Sequence, residues 1–182
     1  MANSVGYYNY KKIIDLLQTL ADYHDQLQSF GYGSIEQLIY QTETRLKQDN
    51  TVKNLAPFYP AMWVITDGAK TDGKETTYEF TILIMDIQNT KNFDNELDNL
   101  SDTLDILKDV IAQLKYATGM ECYCNLDLDY PIDMSPFHEE YDDYLNGWSG
   151  KIRLRVPDAI NRCIAPYSTF PPCDNNEDGV SQ

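Results

Sequence analysis

Tyr78-Glu79-Phe80-Thr81-Ile82-Leu83-Ile84-Met85-Asp86 alternates Tyr78, Phe80, Ile82 and Ile84 with Glu79 and Thr81, the period of a half-buried strand. Leu83 and Met85 make the second face apolar too, so this strand's end should be covered on both sides. After a polar link, Gln88 to Asn92, the period changes. Leu97, Leu100, Leu104, Leu107, Ile111 and Leu114 step by three and four, one apolar seam along a helix. Asp98, Asp102, Asp105 and Asp109 lie off that seam. Asn92 or Asp94 suits its start, and Lys115 and Gly119 suit its end. A central strand feeding a long amphipathic helix predicts a helix packed on a sheet.

The 182 residues, 42% of them hydrophobic, suit one domain with arms or at most two small ones. Tyrosine dominates the aromatics, 14 copies against 2 Trp. Its broad ring and hydroxyl suit contact with another protein, and equally a half-buried place at a sheet edge. The net charge of −15 and pI near 4.3 work against holding nucleic acid by counterion release and against an anionic membrane. Two readings of that charge stand: solubility in a crowded compartment, or an acidic wall past which a polyanion slides without sticking. No stretch approaches the roughly 20 apolar residues of a membrane span. Met1-Ala2-Asn3-Ser4-Val5-Gly6 lacks the basic and apolar runs of a signal peptide. Cys122, Cys124, Cys163 and Cys173 are therefore expected as reduced thiols, and their spacings do not make a zinc knuckle.

Tyr10, Ile13, Leu17, Leu20, His24 and Leu27 repeat the three-four spacing and predict a first helix over 7–29, ended by Gly31-Tyr32-Gly33. His24 falls on its apolar stripe, as a hydrogen-bonded histidine at a core edge would. Ser34 and Gln37 read as a capping box. Residues 34–50 then fit either a short helix through Ile35, Leu38, Ile39 and Leu46 or an extended arm, which Tyr40, Thr42 and Thr44 tolerate. Asp49 to Pro57 reads as a loop. Tyr59-Pro60 sets the chain extended, and Met62 to Thr66 is a strand. Asp67-Gly68-Ala69-Lys70-Thr71-Asp72-Gly73 joins it to the strand at Tyr78 as a hairpin with a long tip. A phosphate-binding loop would need a Gly-Lys-Ser/Thr ending and a following helix.

Beyond the long helix, Leu126, Leu128, Tyr130 and Ile132 alternate with Asp127, Asp129 and Asp133. Ile152, Leu154 and Val156 alternate with Lys151, Arg153 and Arg155. Paired antiparallel, these two strands would set carboxylates against cations at ~0.2–1 kcal/mol each. The competing reading is that Lys151, Arg153 and Arg155 touch nucleic acid. Asp127-Leu128-Asp129 also matches a divalent-metal motif of sugar transferases, a pattern that many strands share. Between the two strands, Ser135 to Gly147 reads as a long acidic loop of the kind that binds something. Pro157 stops the last strand. The polar tail from Pro171 should be disordered.

The order helix, hairpin, long helix, hairpin predicts an α/β (α+β) fold, with a small mixed four-stranded sheet and helices on one face. It reads as a single domain over 1–170 with arms near 34–56 and 134–147, and an acidic tail over 171–182. No triad, metal cluster or cofactor loop is visible, so no catalytic, cofactor-binding or metal-binding residue is assigned.

Phe58-Tyr59-Pro60-Ala61-Met62-Trp63-Val64 is followed by Tyr78 to Asp86, Ser101-Asp102, Ile106 to Ile111, Asp143-Tyr144-Leu145-Asn146-Gly147-Trp148, the basic strand and Cys163. In that order, over about residues 55 to 165, the chain resembles small proteins of tailed bacteriophages, including those infecting Bacteroides and the crAss-like phages. That family resembles tail-completion or tail-terminator proteins of the neck. The resemblance implies a structural virion protein, made in the host cytoplasm, that is not an enzyme and needs no cofactor. It implies a homo-oligomeric ring, sixfold in long-tailed phages or twelvefold in short-tailed ones. Portal, connector or tail ring proteins would be its neighbours, and DNA would pass without specific binding. A monomeric adaptor or assembly factor is the alternative, and a carboxylate-based enzyme a more distant one. For a ring, the interface candidates are Asp67, Lys70, Asp72 and Lys74 at the hairpin tip, Phe137, Tyr141, Tyr144 and Trp148 in or beside the acidic loop, and Tyr40. Asp98, Asp102, Asp105 and Asp109, or the acidic 139–143 cluster, would line the channel.

Overall fold

The computed structural model describes residues 9–38, 59–87, 93–117, 126–139 and 145–157. Their order is helix α1 (Tyr10–Asp22), strands β1 (Ser29–Tyr32), β2 (Ala61–Thr71) and β3 (Glu75–Ile87), helix α2 (Phe93–Ala117), then strands β4 (Asp127–Leu128), β5 (Asp133–Glu139) and β6 (Leu145–Pro157). The strands make one six-stranded sheet ordered β1-β2-β3-β6-β4, with β5 also on β6. β1 is parallel to β2, and the other described pairs are antiparallel. The fold is α+β as expected, with six strands in place of four.

β3 sits centrally because both its faces and both its edges are used. Phe80, Ile82 and Ile84 join Met62 and Val64 of β2 and Ile152, Leu154 and Val156 of β6 in the main core. Ile13, Ile14, Leu16 and Leu17 of α1 and Ile106, Leu107, Val110 and Leu114 of α2 close over it. Both helices therefore cover one face. On the other face Ala61, Trp63, Leu83 and Met85 form a smaller buried cluster, with Leu38, Tyr59, Ile65 and Phe137 against it. The apolar Leu83 and Met85 thus mark a strand end covered on both sides.

The first helix is shorter than its periodicity suggests. Asn9 caps it, its Oδ1 accepting from the Lys12 N–H at 3.0 Å. It ends at Asp22, where Tyr23 and His24 N–H groups bond back to Thr19 and Ala21 carbonyls. Ser29–Tyr32, expected as the helix end and its glycine stop, is instead strand β1. Gly31 lies opposite Trp63, and a Cβ there would stand 2.2 Å from Trp63 Cζ3. The glycine admits an indole ring rather than ending a helix. The capping box forms as read: Ser34 N–H donates to Gln37 Oε1 at 2.9 Å and Gln37 N–H to Ser34 Oγ at 3.3 Å. Residues 35–38 make a helical turn. The rest of 34–50, Tyr40 included, lies outside the described residues.

The seam of α2 is rotated from the one expected. Leu97 is 66% exposed, while Thr103, Ile106, Leu107, Val110 and Leu114 are buried. At 100° per residue Leu97 lies about 80° around the helix from Leu107. A leucine at a three-four step thus falls at the margin when a wider stripe is centred elsewhere.

The hairpin tip is also corrected. β2 continues to Thr71 through a register shift between Thr66 and Gly68 that leaves Asp67 as the extra residue. Asp67 and Lys70 are strand residues, and the turn is Asp72-Gly73-Lys74. Gly73 takes φ 92°, a region that favours glycine. Asp72 Oδ1 accepts from the Lys74 and Glu75 N–H groups at 2.8 Å each.

The expected strand from Leu126 to Asp133 divides into β4 and β5. Much of the expected loop Ser135–Gly147 is strand, belonging to β5 and β6. Asp129 N–H donates to Arg153 O, so odd-numbered β6 residues turn their backbone groups toward β4 and β5. Asp133, Ser135 and Phe137 answer them in register. Pro136, between them, directs its absent N–H away from β6, the position an edge strand tolerates. Tyr141, Tyr144, the four cysteines and residues 171–182 lie outside the described residues.

Candidate functional site

Three groups of polar side chains stand out. The first is the outer face of α2, where Asp98, Asp102, Asp105 and Asp109 are all exposed. The buried seam on the opposite side of the helix fixes this orientation. From Asp98 to Asp109 the row spans about 16 Å at 1.5 Å per residue. Asp105 takes Lys108 Nζ at 2.9 Å. Asp109 Oδ2 lies 3.7 Å from His24 Nε2, while His24 Nδ1 accepts from the Gln26 N–H at 3.2 Å. His24 is thus a bonded histidine at the core edge, and the carboxylate near it comes from the other helix, which chain order gave no means to foresee.

The second group lies on the sheet face away from the helices. Asp127 is opposite Arg155 and Asp133 opposite Lys151, as the alternation predicted. Arg155 is the hub: Nη2 pairs with Asp127, Nε lies 2.7 Å from Asp129 Oδ1, and Nη1 lies 3.8 Å from Glu75 Oε2. The Nε contact is ionic rather than an aligned hydrogen bond. Asp129 reaches Arg155 with its side chain while its N–H bonds to the Arg153 carbonyl. Arg153 is opposite Glu79 in register, and Glu79 takes Lys70 Nζ at 2.6 Å. Glu75 was not foreseen, since it enters from a strand fifty residues upstream of β4. Carboxylates thus pair with Arg155 and stand opposite Arg153 and Lys151 in register, which weighs against use of the basic row on nucleic acid.

The third group lies on the helix-covered face, beneath the first turns of α2. Asp86, Asn146 and His138 are neighbours in register across β3, β6 and β5. Asn146 is 2% exposed, and neither its Nδ2 nor its Oδ1 has a hydrogen-bond partner. His138 Nδ1 lies 3.4 Å from Glu96 Oε1. Asn99 Nδ2 donates to Ile87 O at 3.2 Å and Trp148 Nε1 to Leu100 O at 2.9 Å, fastening α2 to the sheet. Burial pushes the Asp86 carboxyl above the usual carboxylate range; the Ile87 N–H opposes this and Asp102 adds to it. The sequence carries no signal for this group, whose members are distant in the chain.

The interface candidates scatter. Asp67 Oδ2 accepts from Thr81 Oγ1 at 2.7 Å, and Lys70 is held by Glu79. The N–H groups of Glu75 and Lys74 hold the Asp72 carboxyl below its ordinary range. Phe137 is half-buried against the small cluster, and Trp148 is half-buried against the main core. Among the described residues, no group of three or more His, Cys, Asp or Glu side chains is placed to hold a metal ion, and no helix is long and apolar enough to cross a membrane. The sequence matches no protein-family model, and no curated protein is significantly similar to it.

Proposed function

We propose that this chain is a structural subunit of a tailed-bacteriophage virion, closing with copies of itself into a ring at the neck or tail through which DNA passes. The observation that carries the reading is the aspartate row on the outer face of α2, mounted on a helix fastened to a six-stranded sheet. A lumen for DNA must pass a polyanion without holding it. A fixed acidic wall repels phosphates and offers them no counterion-releasing grip. The offsetting of Arg155 by Asp127, Asp129 and Glu75 supports the same reading, because that guanidinium, which could grip phosphate, is engaged within the sheet.

The resemblance read in the sequence over about residues 55 to 165, to a phage family that itself resembles tail-completion and tail-terminator proteins, supports a position at the neck or tail. Portal, connector or tail ring proteins would lie above and below, with six or twelve copies in the ring and synthesis in the host cytoplasm. Native mass spectrometry and negative-stain images of the purified chain, with peptide mapping of purified virions, test it. A closed oligomer with a central channel and the chain's presence in particles are the expected results. A single-copy mass together with absence from virions overturns the proposal.

A further inference from the structure

We infer that the first turns of α2, residues 93–103, are a latch that leaves the sheet as one unit while the rest of the helix stays packed. The inference goes beyond the ring reading and stands without it. The two halves of α2 are held by different forces. Ile106, Leu107, Val110 and Leu114 are at most 1% exposed and belong to the main core. Ahead of them Leu97 lies mostly in solvent, Leu100 is only half-buried, and Asp98, Ser101 and Asp102 are exposed. Thr103 is fully buried, but its hydroxyl donates within the helix, to Asn99 O at 2.6 Å. Sparse apolar burial marks a segment that opens below the cost of global unfolding.

Polar contacts close the latch: Trp148 Nε1 on Leu100 O, Asn99 Nδ2 on Ile87 O, and His138 beside Glu96. Groups that gain from water lie beneath it. Asn146 is buried with neither amide atom bonded, and hydration would satisfy both. Asp86, its neighbour in register, is half-buried with Asp102 nearby. Among the described residues, the other buried polar side-chain atoms lacking a hydrogen-bond partner belong to Trp63 and Arg155, on the sheet face away from the helices. The release of unsatisfied groups is therefore confined to the amino-terminal half of α2.

The titratable groups around this row among the described residues are Asp102 and Glu96 on α2 and His138 on β5. Burial raises the Asp86 carboxyl, so its share of closure is held at low pH and lost as pH rises through the closed-state value. Over pH 5 to 8 His138 also loses its charge, and Glu96 then faces no cation there. Both changes act in one direction, and opening increases with pH. Asp98 and Asp102 ride on the latch, while Asp105 and Asp109 stay on the anchored half.

Native-state amide exchange of the full chain, read by NMR from pH 5 to 8 and corrected for intrinsic rates, tests this. Amides 97–103 should share one protection factor, at least about tenfold below that of 110–114, with a step between the two groups. The gap should widen as pH rises. Ile106→Val, which weakens only the anchored half, should lower protection of 110–114 roughly two- to tenfold and leave 97–103 unchanged. A smooth gradient from the start of the helix, which is ordinary fraying, or equal protection throughout overturns the latch. So does a fall in both groups together in Ile106→Val. In Asp86→Asn/His138→Gln the pH trend should vanish, and a trend that persists overturns the assignment of these two groups as its source.

Discussion

Arg155→Met removes the guanidinium that joins three carboxylates on the sheet face away from the helices, and keeps most of the apolar stem. The Arg155 side chain is 40% exposed, and those of Asp127, Asp129 and Glu75 are 66%, 28% and 46% exposed. Partly exposed pairs of this kind contribute roughly 0.2–1 kcal/mol each. Two close contacts and one long one, with the mutual repulsion of the carboxylates left behind, bring the expected loss to about 1–2 kcal/mol. For a chain of this length that is a fall of about 2–8 °C in Tm. Circular-dichroism melts at low salt measure it. At 1 M salt, where the screening length is about 3 Å, the difference should shrink by more than half. A double-mutant cycle with Asp129→Asn should return a favourable coupling. An unchanged melt at low salt, accompanied by loss of duplex-DNA affinity, would refute the reasoning and return the basic row to nucleic acid.

Gly31→Ala should destabilise by about 1–3 kcal/mol in urea titrations, because the added methyl must displace a buried indole; an unchanged midpoint would mean that the packing of Trp63 on β1 is wrong. Asn146→Leu should leave stability unchanged or raise it by about 1–3 kcal/mol, since it removes a buried amide with no partner; a comparable loss would show that the amide is in use. The raised Asp86 pKa sets the sign of a pH effect. The stability this group contributes is full below about pH 4 and is lost as pH rises through its folded-state value. Asp86→Asn should therefore melt increasingly above the wild type between pH 4 and 7, and parallel profiles would contradict the buried placement of the carboxyl.

The strands readable in the sequence were those with strict alternation and a buried face. β3 and β6 have both, and the alternating charges of 127–133 and 151–155 gave in advance that carboxylates would face cations across the ladder, as Asp127 faces Arg155 and Asp133 faces Lys151. The long helix was equally plain, because six aliphatic side chains repeat at helical spacing, although Leu97 shows that spacing alone does not centre the stripe. β1 was hidden. It has four residues, lies between helix signals and a glycine, and is stabilised by a parallel partner some thirty residues on. β5 was hidden for the opposite reason. An edge strand needs one paired side and little burial, so Met134, Ser135 and Pro136 carry the look of a loop. The group around Asp86, Asn146 and His138 comes together only through strand register, which no local pattern encodes.

The most direct measurement is an electron-microscopy reconstruction of the chain in its oligomer or in the virion neck. A ring subunit of the proposed kind gives a closed ring in which Asp98, Asp102, Asp105 and Asp109 face the lumen. A ring with these aspartates and the acidic 139–143 segment both on the outer wall, or a chain that stays a single copy and is missing from the particle, contradicts it.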